Sequence, residues 1–241
     1  MNSNKTILAL LITTILLSCN IEPKKKEVLI FSKTEGYRHK SIEPGIAAIK
    51  KLGESNNFNV YATEDANYFV NDSLKKYDAI IFLSTTGDIF NNEQEQSFKN
   101  YINNGGGFVG IHAATDTEYE WPWYNKLVGA YFKTHPPGLH EAKIDIIDDK
   151  HQSTSKLPKE WVCKDEWYDF KDISKDINVL ANLDETTYEG GGLGVNHPIS
   201  WYQEFDGGKM FYTGLGHPKE AFQNEHFLNH ILGGIQYVTD N

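Results

Sequence analysis

The stretch Gly105-Gly106-Gly107-Phe108-Val109-Gly110-Ile111-His112-Ala113-Ala114 limits the fold more than any other part of the chain. The apolar run Phe108 to Ile111 is too short for a helix and reads as a buried strand of a parallel sheet. The small residues after it permit a tight strand-to-helix turn. In α/β enzymes such an elbow holds one side chain up at the C-terminal edge of the sheet, where ligands bind. Here that side chain is His112, an imidazole where a nucleophile commonly stands.

The sequence before the elbow alternates in the same manner. Glu27 to Ser32 reads as a first strand, Phe58 to Ala62 as a second and Ala79 to Leu83 as a third. Helices are predicted over Ile42 to Leu52, with Ser41 as N-cap, and over Asn92 to Ile102, whose Glu93 and Glu95 suit a helix N-terminus. This β-α-β-β-α-β order predicts an α/β fold with a three-layer, mostly parallel sheet. A length of 241 residues gives room for one such domain, placed over 28–241. Loops after the first and third strands face the ligand crevice of such folds. They carry Arg38 and His39, and the hydroxyl-rich run Ser84-Thr85-Thr86-Gly87-Asp88. Gly105 to Gly110 spells G-x-G-x-x-G but leads into a strand instead of following one and opening a helix, and the sequence has no P-loop lysine motif, so a nucleotide site is unsupported.

Beyond the elbow lie an aromatic cluster, Trp121-Pro122-Trp123-Tyr124, and predicted strands over Ala142 to Ile147 and Ile177 to Leu183. Trp161 to Phe170 packs acids among aromatics. Such surroundings disfavour a charged carboxylate and suit acid/base work, although an edge strand with exposed acids has the same pattern. Glu189 to Gly194 reads as a flexible loop that could act as a lid, and Phe205 to Lys209 as a hairpin turn. The strand Met210 to Thr213 ends at Gly214-Leu215-Gly216-His217, so a second histidine follows a strand end, as His112 does. A last helix is predicted from about Lys219 to Val238. Its core stripe is Leu228, Ile231, Leu232 and Ile235, which puts His226 and His230 on the solvent side.

At the amino terminus, Lys5, the apolar run Thr6 to Leu17 and Leu16-Leu17-Ser18-Cys19 read as a lipoprotein signal. The run is too short to span a bilayer. The expectation is a signal peptide over 1–18, lipidation at Cys19 and a polar tether over 19–27. That places the protein in a bacterial cell envelope, on the periplasmic or outer-membrane side, touching membrane through its anchor alone. Only Cys163 then remains, which forbids an internal disulfide and reads as a small buried hydrophobe. A net charge of -10 argues against nucleic acid as a partner. An aromatic share of 13% suits a carbohydrate pocket as well as a core. A homo-oligomer stays open.

Several short motifs occur in a particular order. They are Ser32-Lys33-Thr34-x-Gly36-x-Arg38-His39-x-Ser41-Ile42, Leu83-Ser84-Thr85-Thr86-Gly87-Asp88, Gly110-Ile111-His112-Ala113-Ala114-x-Asp116, Asp165-Glu166-x-Tyr168, His197-Pro198-x-x-Trp201 and Tyr212-Thr213-Gly214-Leu215-Gly216-His217. The set resembles the ThuA-like (trehalose utilisation) family across about Val28 to Tyr237. The resemblance implies a flavodoxin-like sheet of the class I glutamine amidotransferase-like type. In amidotransferases the elbow is Gly-x-Cys-x-Gly and a later His-Pro-x-Glu completes the site. Here His112 takes the cysteine position, and Gly216-His217-Pro218-Lys219-Glu220 has one extra residue before its acid. Glutaminase chemistry by that route is excluded, since the elbow has no comparable nucleophile. The family is associated with uptake or breakdown of disaccharides such as trehalose, some members standing beside enzymes that make 3-keto sugars.

The expectation is therefore a carbohydrate-processing hydrolase, lyase or isomerase with a small sugar as its ligand. His112 and His217 would exchange protons, with Glu166 as partner acid or as the group that orients a histidine. Arg38, His39, Thr86, Asp116, Tyr168 and Trp201 would hold the sugar. No organic cofactor is needed. A divalent metal such as zinc is the variant, with His39, His112, His135 and His217 as candidate ligands beside Glu166, though no compact H-x-x-x-H spacing links them. The other readings are a non-catalytic sugar-binding lipoprotein and a structural envelope protein.

Overall fold

The computed structural model describes residues 24–240, so the signal peptide and Cys19 lie outside the described residues. Its strands are β1 (Lys26–Phe31), β2 (Phe58–Thr63), β3 (Ala79–Leu83), β4 (Gly107–Ile111), β5 (Tyr131–Thr134), β6 (His140–Ile146), β7 (Glu160–Asp165), β8 (Asp169–Lys171), β9 (Asn178–Asp184), β10 (Pro198–Phe205) and β11 (Gly208–Thr213). Its α-helices are α1 (Ile42–Ser55), α2 (Asn92–Asn103), α3 (Pro122–Val128) and α4 (Glu225–Thr239). Among the described residues, nine strands form one sheet in the order β2-β1-β3-β4-β11-β10-β9-β6-β7. From β2 to β11 the pairing is parallel. Beyond β11 an antiparallel extension begins with the β10–β11 hairpin. Strands β5 and β8 pair separately.

The parallel strands are apolar throughout because helices cover both faces. In β3 and β4, all ten residues are buried. Phe82 and Phe108 meet Phe98 of α2 and Tyr124 of α3 on one face. Residues of opposite parity face the other way: a Cβ on Gly234 of α4 would strike the Phe211 ring, and one on Gly45 of α1 would meet Leu83. That is a three-layer α/β fold, and the aromatic content serves mainly to fill its core. Helix α2 carries the acids expected in its first turn and adds a capping box between Asn91 and Gln94. Among the described residues no helix is long and apolar enough to cross a membrane.

Four local expectations need correction. The last helix starts at Glu225, because Lys219–Gln223 is a 3-10 turn and the Asn224 side chain caps Phe227 N. His226 is exposed, but His230 is buried, with Nδ1 donating to the Ser153 carbonyl at 2.9 Å and Nε2 at 3.0 Å from Ser200 Oγ. Residues 151–155 lie against α4 so closely that a Cβ on Gly233 would strike the Gln152 carbonyl oxygen. That segment covers a helix face that periodicity alone gives to solvent. The 189–194 loop is tied down rather than free, with Gly192 N donating to Asp169 Oδ1 at 3.0 Å and Leu193 N to Glu185 Oε1 at 2.7 Å. Ser41 stands at the start of α1 but makes no capping bond.

Candidate functional site

The elbow has the backbone strain its sequence suggests. His112 has φ 52°, and Ser84, at the same level after β3, has φ 50°. A left-handed non-glycine residue costs on the order of 1–3 kcal/mol and persists only where neighbours fix it. At His112 they do: the Tyr212 hydroxyl donates to its carbonyl at 2.7 Å, and the Tyr168 ring packs 4.4 Å from its imidazole. His112 Nδ1 lies 2.8 Å from the Gly214 carbonyl oxygen. A carbonyl only accepts, so Nδ1 carries a proton and Nε2 is the nitrogen that faces the site.

His217 follows β11 on the same edge of the sheet. Its main chain is held by Asp165, a buried carboxylate at the end of β7. Asp165 accepts from Gly216 N at 2.9 Å, His217 N at 3.0 Å and Glu166 N at 2.8 Å. Burial raises its pKa, against the pull of His112 and these three N–H groups. The antiparallel extension thus folds back until the end of its edge strand meets the loop after β11.

Glu166, next along, turns its carboxylate into the cluster. Its Oε2 lies 3.0 Å from His217 Nδ1 and 3.6 Å from His112 Nε2, and its Oε1 lies 3.4 Å from His135 Nδ1. Burial acts to raise its pKa, but His112 and His217 outweigh it and hold the carboxyl well below the usual range. Burial likewise acts to lower His217, and Glu166 more than compensates, so its pKa is raised. The two ring nitrogens, His112 Nε2 and His217 Nδ1, are 3.3 Å apart.

His39 comes from the loop after β1, which the loop after β3 positions. Glu35 N donates to the Thr86 carbonyl at 2.8 Å, Gly36 N to Thr86 Oγ1 at 3.2 Å, and Thr86 Oγ1 to the Tyr37 carbonyl at 3.1 Å. A Cβ at Gly36 would sit 3.3 Å from Thr86 Oγ1, so this close approach favours glycine. The His39 ring lies edge-on to His112 and His217, with centroids 4.8 and 5.1 Å away. Burial, then the two imidazoles, lower its pKa to about 2, which keeps it neutral. Its Nδ1 is buried with no hydrogen-bond partner among the described residues. One donor atom from each of His39, His112, Glu166 and His217 lies within 4.8 Å of the others.

The remaining candidates divide. Tyr168 packs on His112, and Asp116 accepts from the Tyr119 hydroxyl at 2.6 Å. Burial raises the Asp116 carboxyl. His135 reaches Glu166 but sits outside the four-residue cluster, its Nδ1 2.9 Å from the Pro136 carbonyl oxygen. Arg38 is paired with Glu43 and Glu64 at 2.6 and 2.7 Å. Trp201, expected against a sugar face, is instead a core residue. It is 0% exposed, with Nε1 donating to the Val128 carbonyl. Glu220 is exposed beside Lys219, so the acid of the cluster is Glu166.

Sequence reasoning missed two groups. Asp165 was one acid of a quoted pair, with nothing to separate the anchoring acid from the one facing the cluster. Tyr37 is 60% exposed, and its ring lies nearly parallel to His217 at 6.5 Å and 4.8 Å from His39. A second convergent group, Asp169, Glu185 and His197, has a different character. His197 Nδ1 meets Glu185 Oε1 and Nε2 meets the Tyr168 carbonyl, both at 2.8 Å, so the ring braces Tyr168 and the glycine-rich loop.

The sequence matches the ThuA family, described as trehalose utilisation, over residues 27–238. That description associates the chain with trehalose utilisation. The fold is similar to that of a ThuA-like protein from Bacteroides uniformis, with TM-score 0.77 and 24% identity over 90% of this chain and 92% of that one. A ThuA-like protein from Parabacteroides merdae gives TM-score 0.74 and 23% identity over 90% of each chain. No curated protein matches the chain.

Proposed function

The chain belongs to the ThuA, or trehalose utilisation, family, and on that premise we propose that it is an enzyme acting on a disaccharide of the trehalose type, or on a keto sugar derived from one, at the His112–Glu166–His217 centre. One observation carries the reading: His112 Nε2 and His217 Nδ1 both converge on Glu166 Oε2 at the C-terminal edge of the parallel strands. Ligands of open α/β sheets bind at that edge.

Elimination, isomerisation or hydrolysis of a sugar needs a lone pair to take a proton and positive charge beside the oxygen that becomes negative. His112 offers the lone pair, aimed by the Gly214 carbonyl and steadied by Tyr168. Glu166 calls for positive charge on its histidine side, carried by protons on the imidazoles or by a divalent ion. His39 stays neutral and can exchange a hydrogen bond with a sugar hydroxyl. The exposed Tyr37 ring is a platform for a sugar face, and Asp116 an acceptor for hydroxyls. Cys163 has no part, because it sits half-buried on β7 with its thiol pKa pushed up by burial. The lipobox ending at Cys19 supports export and lipid anchoring in the cell envelope, with the sugar met there.

The test is turnover. Trehalose, related disaccharides and their 3-keto derivatives are incubated with the protein, and products are separated by chromatography and weighed by mass spectrometry. Product is expected from one of these sugars, with His112→Ala reducing it by about 100-fold or more while the circular dichroism is kept. If no sugar is turned over but saccharides still raise the melting temperature, the protein is a binding protein and the enzyme reading fails.

A further inference from the structure

The centre brings together more lone pairs than it has protons to join. With His112 Nδ1–H committed to Gly214, His112 Nε2 faces two acceptor-capable atoms, His217 Nδ1 at 3.3 Å and Glu166 Oε2 at 3.6 Å. A single proton on His217 Nδ1 can be directed well at Glu166 or at His112, not at both. His39 adds a third imidazole, with a buried nitrogen that has no hydrogen-bond partner among the described residues. One cation at the middle would satisfy all of these atoms.

The spacing fits such an ion. Donors bound tetrahedrally at about 2.0–2.1 Å stand about 3.3–3.4 Å from one another, by the geometry of the tetrahedron. The three edges here are 3.0, 3.3 and 3.6 Å. The surroundings fit as well. Metal-bound histidines usually donate their other ring N–H to a carbonyl or carboxylate, and His112 donates to Gly214. Asp165 fixes the main chain of two of the three residues at once. Imidazoles with one carboxylate select a first-row divalent ion of intermediate softness over calcium or magnesium.

We infer that the centre binds one first-row divalent ion, zinc by its donor set, through His112 Nε2, His217 Nδ1 and Glu166 Oε2, with His39 bordering the remaining position. Three protein ligands and one exchangeable position are the pattern of catalytic rather than structural zinc. A keto sugar, with a carbonyl beside a hydroxyl, presents two adjacent oxygens to that side. The inference deepens the proposed function, since both rest on the same centre, but ion binding is measured without any sugar.

The full chain is stripped with a chelator, dialysed and titrated separately with Zn²⁺, Co²⁺, Mn²⁺ and Mg²⁺, following heat by calorimetry and the visible d–d bands of Co²⁺. About one equivalent of Zn²⁺ is expected, with Co²⁺ giving an intense low-symmetry spectrum that Zn²⁺ abolishes and Mg²⁺ not competing. His112→Ala, His217→Ala and the near-isosteric Glu166→Gln should each weaken binding by about 100-fold or more, and Asp165→Asn by about 10-fold to 100-fold. Circular dichroism of each stripped variant separates lost ligation from lost folding. Sub-stoichiometric Zn²⁺, or Zn²⁺ binding that all three ligand variants retain, overturns the inference. In either case sugar turnover at full rate in chelated protein would leave the enzyme reading standing on proton chemistry. Stoichiometric Zn²⁺ lost in the variants, with no sugar turned over, upholds the ion and sinks the enzyme.

Discussion

Glu118 holds the loop after β3 in place, and its ionisation should make the whole fold sensitive to alkali. The residue is 1% exposed, and its Oε1 accepts from Ile89 N and Phe90 N, both at 2.8 Å. That loop includes Thr86, which in turn sets the backbone before His39. Burial first, then the hydrogen bond with Asp88, raise the Glu118 pKa from 4.5 to about 8, and the two N–H groups pull the other way. A folded pKa above the unfolded one means that the native state keeps a proton the unfolded chain has lost. The stabilisation is therefore complete below about pH 4.5, declines as pH rises and is gone above about pH 8. At about 1.4 kcal/mol per pH unit, the whole fall is about 5 kcal/mol. Glu118→Gln keeps the oxygen that accepts from Ile89 and Phe90, turns an amide toward Asp88 and does not ionise. Urea unfolding at intervals from about pH 5 to about pH 9 should find the two proteins alike at the acid end and the variant more stable by several kcal/mol at the alkaline end. Parallel curves for the two proteins over that interval would refute the reasoning, because titrations common to both cancel in the difference.

Two substitutions separate ring contacts at the site from ring contacts in the core. Tyr37→Ala removes an exposed ring beside His217, so KM for the sugar should rise by about 10-fold with kcat nearly unchanged, in steady-state kinetics. Trp201→Phe leaves the buried Val128 carbonyl without its donor, so urea unfolding should show a loss of about 1–3 kcal/mol while KM stays the same.

The parallel half of the sheet was legible because each of its strands is an apolar run bounded by turn residues. For the same reason both site histidines after β4 and β11 could be found at the points where apolar runs stop. Glu166 was visible only as an acid among aromatics. Its place depends on β7, an edge strand four positions from β11 in the sheet, folding back to the loop after β11. No local pattern encodes that return. His230 was misread for a related reason. A helical stripe identifies the face toward the sheet, but says nothing of the 151–155 segment that buries the opposite side. Trp201 follows His197 closely in sequence, yet it stands in β10 and packs 4.3 Å from the Tyr212 ring in the core. The four segments that supply the cluster are far apart along the chain, so ligand spacing could not reveal them.

The elbow shows what an imidazole requires at a position that holds one side chain above the sheet. A strained backbone at position 112 lifts one side chain above the sheet whatever that side chain is. A thiol there would need only an activating base. An imidazole needs more, because it has two nitrogens and the wrong one could face the site. The Gly214 carbonyl makes that choice by accepting a hydrogen bond from Nδ1–H, and the Tyr212 hydroxyl holds the His112 carbonyl from the same strand. Both come from β11 or the residue just after it, the element that also leads to His217. The substitution at the elbow and the second histidine are thus mechanically one device: β11 orients the first imidazole and delivers the second. Within this arrangement the role proposed for the elbow is to aim one nitrogen of His112 into the site.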